Sequence, residues 1–224
     1  PNEDSVVVER IKRAGGIILG KTNTPEFGLL ARTENRLGEP CNNPWFPQRT
    51  AGGSSGGAGA SVVAGLCSLA TGTDGGGSIR IPASFCGVFG IKPTLGRVPI
   101  YSGGGSSSVV NLFSQAGPLS RTVRDGALLL KVLSGYDFRD PGSLREPADN
   151  YVSAADQGIK GLRVAWSPDF GYASVDEEVM EVTEKASRIF EELGCTLDEA
   201  SLKLDSPFEV FWDLFSSLSY ANNQ

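Results

Sequence analysis

Three serines lie on two glycine-rich stretches of this 224-residue chain. Residues 51–60, AGGSSGGAGA, carry Ser54 and Ser55, and residues 71–80, TGTDGGGSIR, carry Ser78. Glycine loses more backbone freedom on folding than any other residue, so two such stretches require a reason. A serine hydroxyl becomes a nucleophile when a base takes its proton, and consecutive N–H groups without side chains can bind an oxyanion. One interpretation is therefore a site for acyl transfer.

The base in such a site cannot be a histidine of this chain, because the sequence contains none. A Ser-His-Asp triad is thereby excluded unless the histidine lies outside the chain. Lysine is the alternative base, because burial lowers its pKa and favours the neutral amine. Two serines on two turns suit a relay in which one serine passes the proton of the other to a lysine.

A flexible linker and a phosphate-binding loop are the alternative interpretations. A linker stays polar, but both glycine runs lead into apolar segments, ASVVAGLCSLA and IRIPASFCGVFGI. Residues 15–22, GGIILGKT, match the pattern of a phosphate-binding loop. That loop follows a strand and opens a helix, whereas a helical pattern precedes Gly15 and a Pro- and Asn-rich segment follows Thr22. We interpret the match as accidental.

Composition excludes several classes of protein. A net charge of −6 without a basic stripe argues against nucleic-acid binding, and no apolar run is long enough to cross a bilayer. The four cysteines are far apart, and no C-x-x-C pair or histidine accompanies them, so we expect no metal site, no other cofactor and buried, reduced thiols of a cytoplasmic protein. They are Cys41, Cys67, Cys86 and Cys195. The chain lacks an initiator Met and closes on an apolar-faced helix, so we expect a piece of a longer protein.

Hydrophobic periodicity, caps and glycine stops predict the elements that position these residues. The order of strands and helices indicates an α/β sheet with helices on its faces. The predicted helices cover 4–15, 54–72, 120–135, 175–194 and 208–224; the predicted strands are GIILG at 16–20, LRVAWS at 162–167 and CTLDEASL at 195–202; residues 21–50, 87–111 and 140–161 are predicted to be irregular.

GGSSGGAGASVVAG followed by GTDGGGSIRIPASFCGVFGIKPTLGRVP resembles the signature region of the amidase signature family. VVVERIKRAGGIILGKTNTPEFG and SQAGPLSRTVRDGALLLKVLSG are similar to the elements that flank it there. The resemblance implies an α/β fold with a large mixed β-sheet flanked by helices, incomplete in this chain. It further implies one partial domain over residues 1–224, with the signature core at about 4–140 and further α/β elements at 160–224.

The same resemblance implies hydrolysis of carboxylic amides by a Ser–cis-Ser–Lys triad. Ser78 would be the acylated nucleophile, and Ser54 the bridging serine, preceded by a cis peptide bond. The backbone N–H groups of Gly75, Gly76 and Gly77, with that of Ser78, would hold the oxyanion. None of the seven lysines matches the triad lysine, which would lie before this chain begins, so the chain alone is expected to be inactive.

Four further residues would support the two loops by hydrogen bonds and charge: Ser55, Thr73, Asp74 and Arg80. Structural alternatives stand beside these roles, because Ser55 also suits a helix cap, and Asp74 with Arg80 also suits a structural ion pair. Lys21 and Lys92 match structural lysines of the family pattern. The serines at 106–108 are interpreted as loop serines only.

Two other functions remain open within and beyond this resemblance. The first is the ammonia-releasing A subunit of a tRNA-dependent amidotransferase, which takes ammonia from glutamine and passes it to a partner protein. The second is a catalytically inactive binding module. For the amidase interpretation we expect a small-molecule amide as the partner, and neither nucleic acid nor a membrane. A homodimer of the chain is left open.

Overall fold

The computed structural model describes residues 2–103 and 113–222. The loop prediction for the serines at 106–108 falls outside the described residues. Two compact units form, Pro1–Asp156 and Gln157–Gln224.

The first unit carries both glycine-rich stretches. Its helices are α1 Val6–Arg13, α2 Gly56–Val63, α3 Arg80–Cys86, α4 Val123–Leu133 and α5 Tyr151–Ala155, with a 3₁₀ turn at Glu26–Gly28; its strands are β1 Leu69–Asp74, β2 Phe89–Gly90 and β3 Gln115–Ser120. The second unit contains β4 Arg163–Trp166, α6 Glu177–Glu192, β5 Thr196–Glu199 and α7 Phe208–Asn222.

Strand β3 is the centre of the first unit's sheet. It pairs antiparallel with β1, from Leu69 opposite Ser120 to Asp74 opposite Gln115, and with β2 on its other edge. One buried cluster joins α4 to the sheet, and another joins α2 and α3 to it through Ala58, Ile79, Ala83 and Leu119. The helices that flank the two serine turns are therefore fixed against the same sheet.

The second unit is built on a parallel pair of strands. Strands β4 and β5 pair from Arg163 opposite Thr196 to Trp166 opposite Glu199, and α6 contacts β5. The predicted α/β class is confirmed, with the antiparallel and parallel pairings in separate sheets. None of the described helices is both long and apolar enough to span a bilayer.

The predicted strand GIILG is wrong. Residues 16–20 belong to no strand or helix, and Ile17 is 86% exposed. Gly15, with φ of +83°, ends α1 as predicted, yet within the described residues no neighbouring strand pairs with the segment that follows. The match to a phosphate-binding loop thus lacks both its strand and its helix.

The single helix predicted over residues 54–72 is also wrong. Helix α2 ends at Val63, Gly65 follows with φ of +72°, and Leu69–Asp74 is strand β1. A glycine in the left-handed region is a common helix stop, so Gly65 separates the two elements. Helix α3 and strand β3 were not predicted. Of the four cysteines only Cys86 is buried, and the other three are partly exposed.

Candidate active site

The two glycine-rich stretches meet at Ser55 and Ser78. The backbone N–H of Ser55 donates to the carbonyl oxygen of Ser78 at 3.1 Å. Ser54 and Ser55 are buried just before α2, while Ser78 is half-buried on the turn between β1 and α3. The peptide bond between Gly53 and Ser54 is cis, as the resemblance implies. Backbone pairing therefore holds the proposed relay serine and the proposed nucleophile on adjoining turns.

Gly53 packs so closely against the backbone of residues 30–32 that a side chain at position 53 would not fit. A Cβ atom at this position would lie 2.6 Å from the carbonyl oxygen of Leu30 and 2.8 Å from the backbone nitrogen of Arg32. Backbone atoms at such distances cannot rotate away as a side chain would. The glycine before Ser54 is thus required by close approach of the 30–32 segment.

We expect Gly53→Ala to lower the free energy of unfolding by about 1–3 kcal/mol, because overpacking against backbone forces a main-chain shift. Urea unfolding of the natural-length protein, meaning the polypeptide that its source produces, measures this decrease in the free energy of unfolding. Gly38→Ala is the matched control, since nothing lies within 4 Å of a Cβ atom there. Equal stability of the two variants would contradict the close approach at Gly53.

The Ser55 hydroxyl joins the turn to strand β1. Its Oγ accepts from the Thr73 N–H at 3.3 Å and lies 3.4 Å from the Thr73 carbonyl oxygen, to which it donates. Ser55 occupies the N-cap position of α2, but its hydroxyl makes no capping bond, which corrects that alternative. A Cβ atom on Gly72 would lie 2.5 Å from this Oγ. Ser55 therefore acts through β1, and Thr73 takes part through its main chain while its side chain faces solvent.

Asp74 organises the turn that carries Ser78. Its carboxylate is 0% exposed and accepts from the N–H groups of Gly77 at 2.7 Å and of Ile79 and Arg80 at 3.2 Å each. The Arg80 guanidinium adds two bonds of 2.9 Å, one to each oxygen. Burial alone would raise the pKa of Asp74, but these bonds outweigh it and lower the pKa to about 2. The hydrogen bond to Asp74 in turn raises the pKa of Arg80.

The ion pair of Asp74 and Arg80 thus fixes the loop that the resemblance assigns to the oxyanion. It also removes one donor from that set, because the Gly77 N–H is directed at Asp74. Within the described residues, no hydrogen bond engages the N–H of Gly75 or Gly76, or the hydroxyls of Ser54 and Ser78. This hydrogen bond gives the Gly77 N–H a part in holding the turn and argues against its expected role as an oxyanion donor.

Thr33 and Asn23 are contacts of the site that the sequence did not indicate. Thr33 is 1% exposed, and its hydroxyl donates to the Gly52 carbonyl at 2.8 Å and accepts from the Gly56 N–H at 3.2 Å. The Asn23 carbonyl accepts from the Gly57 N–H at 3.1 Å. Both residues lie in the irregular 21–50 stretch, where no periodic pattern distinguishes a buried polar residue from an exposed one.

Lys92 is held by structural contacts. Its ammonium group donates to the Gln115 side-chain oxygen and to the Pro93 carbonyl, at 3.0 Å each. Gln115 of β3 lies opposite Asp74 of β1 in the sheet, so Lys92 stabilises the end of the sheet at which Asp74 lies. Lys21 is exposed. The structural interpretation of Lys92 agrees with these contacts.

Known proteins similar to this chain include an acylamidase and amidotransferase components. A family model described as Amidase matches residues 1–223. An acylamidase of Rhodococcus erythropolis is 47% identical over 213 residues, which are 93% of this chain and 43% of that protein. The A subunit of the glutamyl-tRNA(Gln) amidotransferase from Anaeromyxobacter sp. (strain K) is 44% identical over 202 residues, or 90% of this chain and 40% of that protein.

Solved structures agree with the sequence matches. A bacterial aryl acylamidase of the amidase signature enzymes superimposes with a TM-score of 0.88 and 36% identity, covering 96% of this chain and 44% of the other. The glutamyl-tRNA(Gln) amidotransferase A subunit from Thermotoga maritima gives 0.88 and 34%, covering 99% and 48%. This chain spans less than half the length of these relatives. With its fold and nearly all of its length matched, the chain belongs to the amidase signature family.

Proposed function

We propose that the natural-length protein is an amidase that hydrolyses a carboxylic amide to an acid and ammonia or an amine through an acyl-enzyme on Ser78. The observation that carries the proposal is the backbone bond from Ser55 to Ser78, which holds Ser54 beside the turn of Ser78. The acylamidase relatives support an amide as the substrate class. Ser55, Thr73, Asp74 and Arg80 keep their supporting roles in this proposal.

In the first step, a neutral lysine outside this chain takes the hydroxyl proton of Ser54, and Ser54 takes that of Ser78. The Ser78 Oγ then bonds to the amide carbon, and the carbonyl oxygen becomes an oxyanion. The C–N bond breaks as the proton returns through Ser54 to the leaving nitrogen. Water repeats the sequence on the ester and releases the acid together with free Ser78.

The oxyanion is proposed to lie against the N–H groups of Gly75, Gly76 and Ser78. These glycines carry no side chain that would keep a substrate away, and Asp74 fixes the end of the loop through Gly77. Donors that are already oriented stabilise developing charge without reorganising, which is why such loops contribute strongly to catalysis.

The second candidate function is the ammonia-releasing A subunit of a tRNA-dependent amidotransferase. The relatives with that name are nearly as similar in sequence as the acylamidase, and one has the same TM-score as the aryl acylamidase. In that case the same serines would release ammonia from glutamine for a partner protein.

The test offers the purified natural-length protein an aryl acylamide and, separately, glutamine, and measures released amine or ammonia. We expect hydrolysis of the acylamide by the protein alone. Ammonia release from glutamine that depends on a copurifying protein would establish the second function instead. Absence of hydrolysis and of fluorophosphonate labelling would favour the binding module.

We further propose that the two units are parts of one amidase signature domain in a cytoplasmic protein. The family model runs across both units, which supports a single domain. The proposed partner is a small amide. Light scattering on the natural-length protein would measure its mass in solution and so show whether it forms a homodimer.

A further inference from the structure

The segment Gly53–Ser54–Ser55 is held on both sides by one side chain, that of Thr33. The Thr33 hydroxyl donates to the carbonyl of Gly52, which precedes the segment, and accepts from the N–H of Gly56, which follows it. The two bonds measure 2.8 and 3.2 Å and both are buried. One hydroxyl thus fixes the distance between the two ends of a three-residue segment.

Thr33 is itself fixed by backbone pairing. Its carbonyl accepts from the Cys41 N–H at 2.8 Å, and the Cys41 carbonyl accepts from the Ala51 N–H at 3.1 Å. The 33, 41 and 51 backbones therefore form a short ladder that leads directly to the serine turn. A displacement of Thr33 would have to break this ladder, so the hydroxyl is a rigid reference point.

The fit between Thr33 and the turn leaves no spare room. A Cβ atom added to Gly56 would lie 2.3 Å from the Thr33 Oγ1 and 2.9 Å from its Cβ. Gly56 therefore brings the backbone close enough for its N–H to reach the hydroxyl. Thr33 is 1% exposed, so loss of its hydroxyl would leave the Gly52 carbonyl and the Gly56 N–H without their partner at a buried position.

We propose that Thr33 is a positioning residue for the relay serine, a role that rests on the proposed function of Ser54 and Ser78. Proton transfer through Ser54 requires its hydroxyl to lie within hydrogen-bonding distance of both the lysine and Ser78. Because Thr33 sets the path of the 52–56 backbone, it sets the place of Ser54. Thr33 touches no reacting atom and acts only through this backbone.

The experiment measures the natural-length protein and its variants Thr33→Val, Thr33→Ser and Thr33→Ala. Valine keeps the shape but loses both hydrogen bonds, serine keeps the hydroxyl, and alanine matches serine without it. For each, kcat and KM for an amide and the rate of Ser78 labelling by a fluorophosphonate are recorded, together with Tm. Ser120→Ala is the control, because Ser120 is a fully buried serine of β3 with a hydrogen bond to Thr122.

We expect Thr33→Val to lower kcat and the labelling rate by about 10- to 100-fold with little change in KM, since small misplacements of catalytic groups have effects of this size. Thr33→Ser should stay within about threefold of the natural protein by the same reasoning, and Thr33→Ala should follow Thr33→Val. Ser120→Ala should lower Tm and leave kcat unchanged. If the valine variant does not fold, the difference in kcat between Thr33→Ser and Thr33→Ala tests the role of the hydroxyl.

Thr33 variants that lose Tm but keep kcat, as the Ser120 control does, would overturn the positioning role. An alanine variant as active as the serine variant would do the same. These outcomes are distinct from failure of the proposed function, in which the natural protein itself would neither hydrolyse amides nor label at Ser78.

Discussion

Ser78→Ala in the natural-length protein is expected to lower amide hydrolysis by about 10⁴-fold or more, because loss of a serine nucleophile has effects of this order. The fold should persist, since the contact of Ser78 with the neighbouring turn is made by its backbone carbonyl, which alanine keeps. Initial rates of amine or ammonia release, with Tm measured in parallel, test both statements.

Ser84→Ala is the matched control for this experiment. Ser84 is an exposed serine of α3, six residues after Ser78, and should be dispensable for hydrolysis. Activity of Ser78→Ala above about one hundredth of the natural rate would be inconsistent with a covalent role, because residual catalysis by the remaining site is far weaker.

Asp74→Asn should produce the largest loss of stability among single substitutions at the site. The Arg80 side chain is 56% exposed, so the loss arises at the buried carboxylate itself. The asparagine NH2 would replace one carboxylate oxygen and face either the Gly77 N–H or the Ile79 and Arg80 N–H groups, and each buried donor left without an acceptor costs about 1–3 kcal/mol. The loop that carries Gly75 and Gly76 would lose its anchor, so activity should fall as well.

The same carboxylate predicts a pH dependence of stability. The pKa of Asp74 is about 2 in the folded chain against an ordinary value of 3.8, so the folded state favours the ionised form. The resulting stabilisation, about 2 kcal/mol, is complete above the unfolded pKa and is lost as pH falls from about 5 through about 2. Urea unfolding across this range should show a steeper decline for the natural protein than for Asp74→Asn.

Asp156→Asn provides the control for charge alone. Asp156 pairs with Arg124 at 2.7 Å, but both side chains are at least half exposed, and such pairs contribute about 1 kcal/mol or less. If Asp74→Asn and Asp156→Asn had the same stability and the same pH dependence, the buried anchor of the loop would be refuted.

Local patterns sufficed for the elements that carry their own signals. Helix α4 begins after Thr122, whose hydroxyl accepts from the Asp125 N–H, and its buried leucines follow the helical period. Helix α6 begins after Asp176, which caps Glu178 in the same way. Such helices can be predicted because cap and apolar face lie within a few residues of each other.

Helix α3 and strand β3 lack such signals for a physical reason. The N-cap position of α3 is Ile79, which makes no side-chain capping bond; the free N–H groups of Ile79 and Arg80 are met instead by Asp74, at the end of β1. Strand β3, QAGPLS, is buried along its whole length and pairs with β1 throughout and with β2 at Leu119 and Ser120, so it shows no alternation of polar and apolar residues.

The residues of the candidate site also fall into two groups, those that the sequence indicated and those that it did not. The glycine runs and the family resemblance indicated Ser54, Ser55, Ser78 and Asp74, because those residues lie within or beside the runs. Thr33 could not be predicted, since it lies in an irregular segment and its partners Gly52 and Gly56 are about 20 positions away along the chain. The commitment of the Gly77 N–H to Asp74 likewise follows from the turn's geometry and not from its composition.

The most direct test of an acyl-enzyme on Ser78 is mass spectrometry of the natural-length protein after reaction with a fluorophosphonate, followed by peptide mapping. We predict a single adduct on the Ser78 peptide, slowed by an amide substrate that competes for the site. An adduct on Ser54 or another serine, or hydrolysis that continues undiminished with Ser78 fully modified, would contradict the acyl-enzyme.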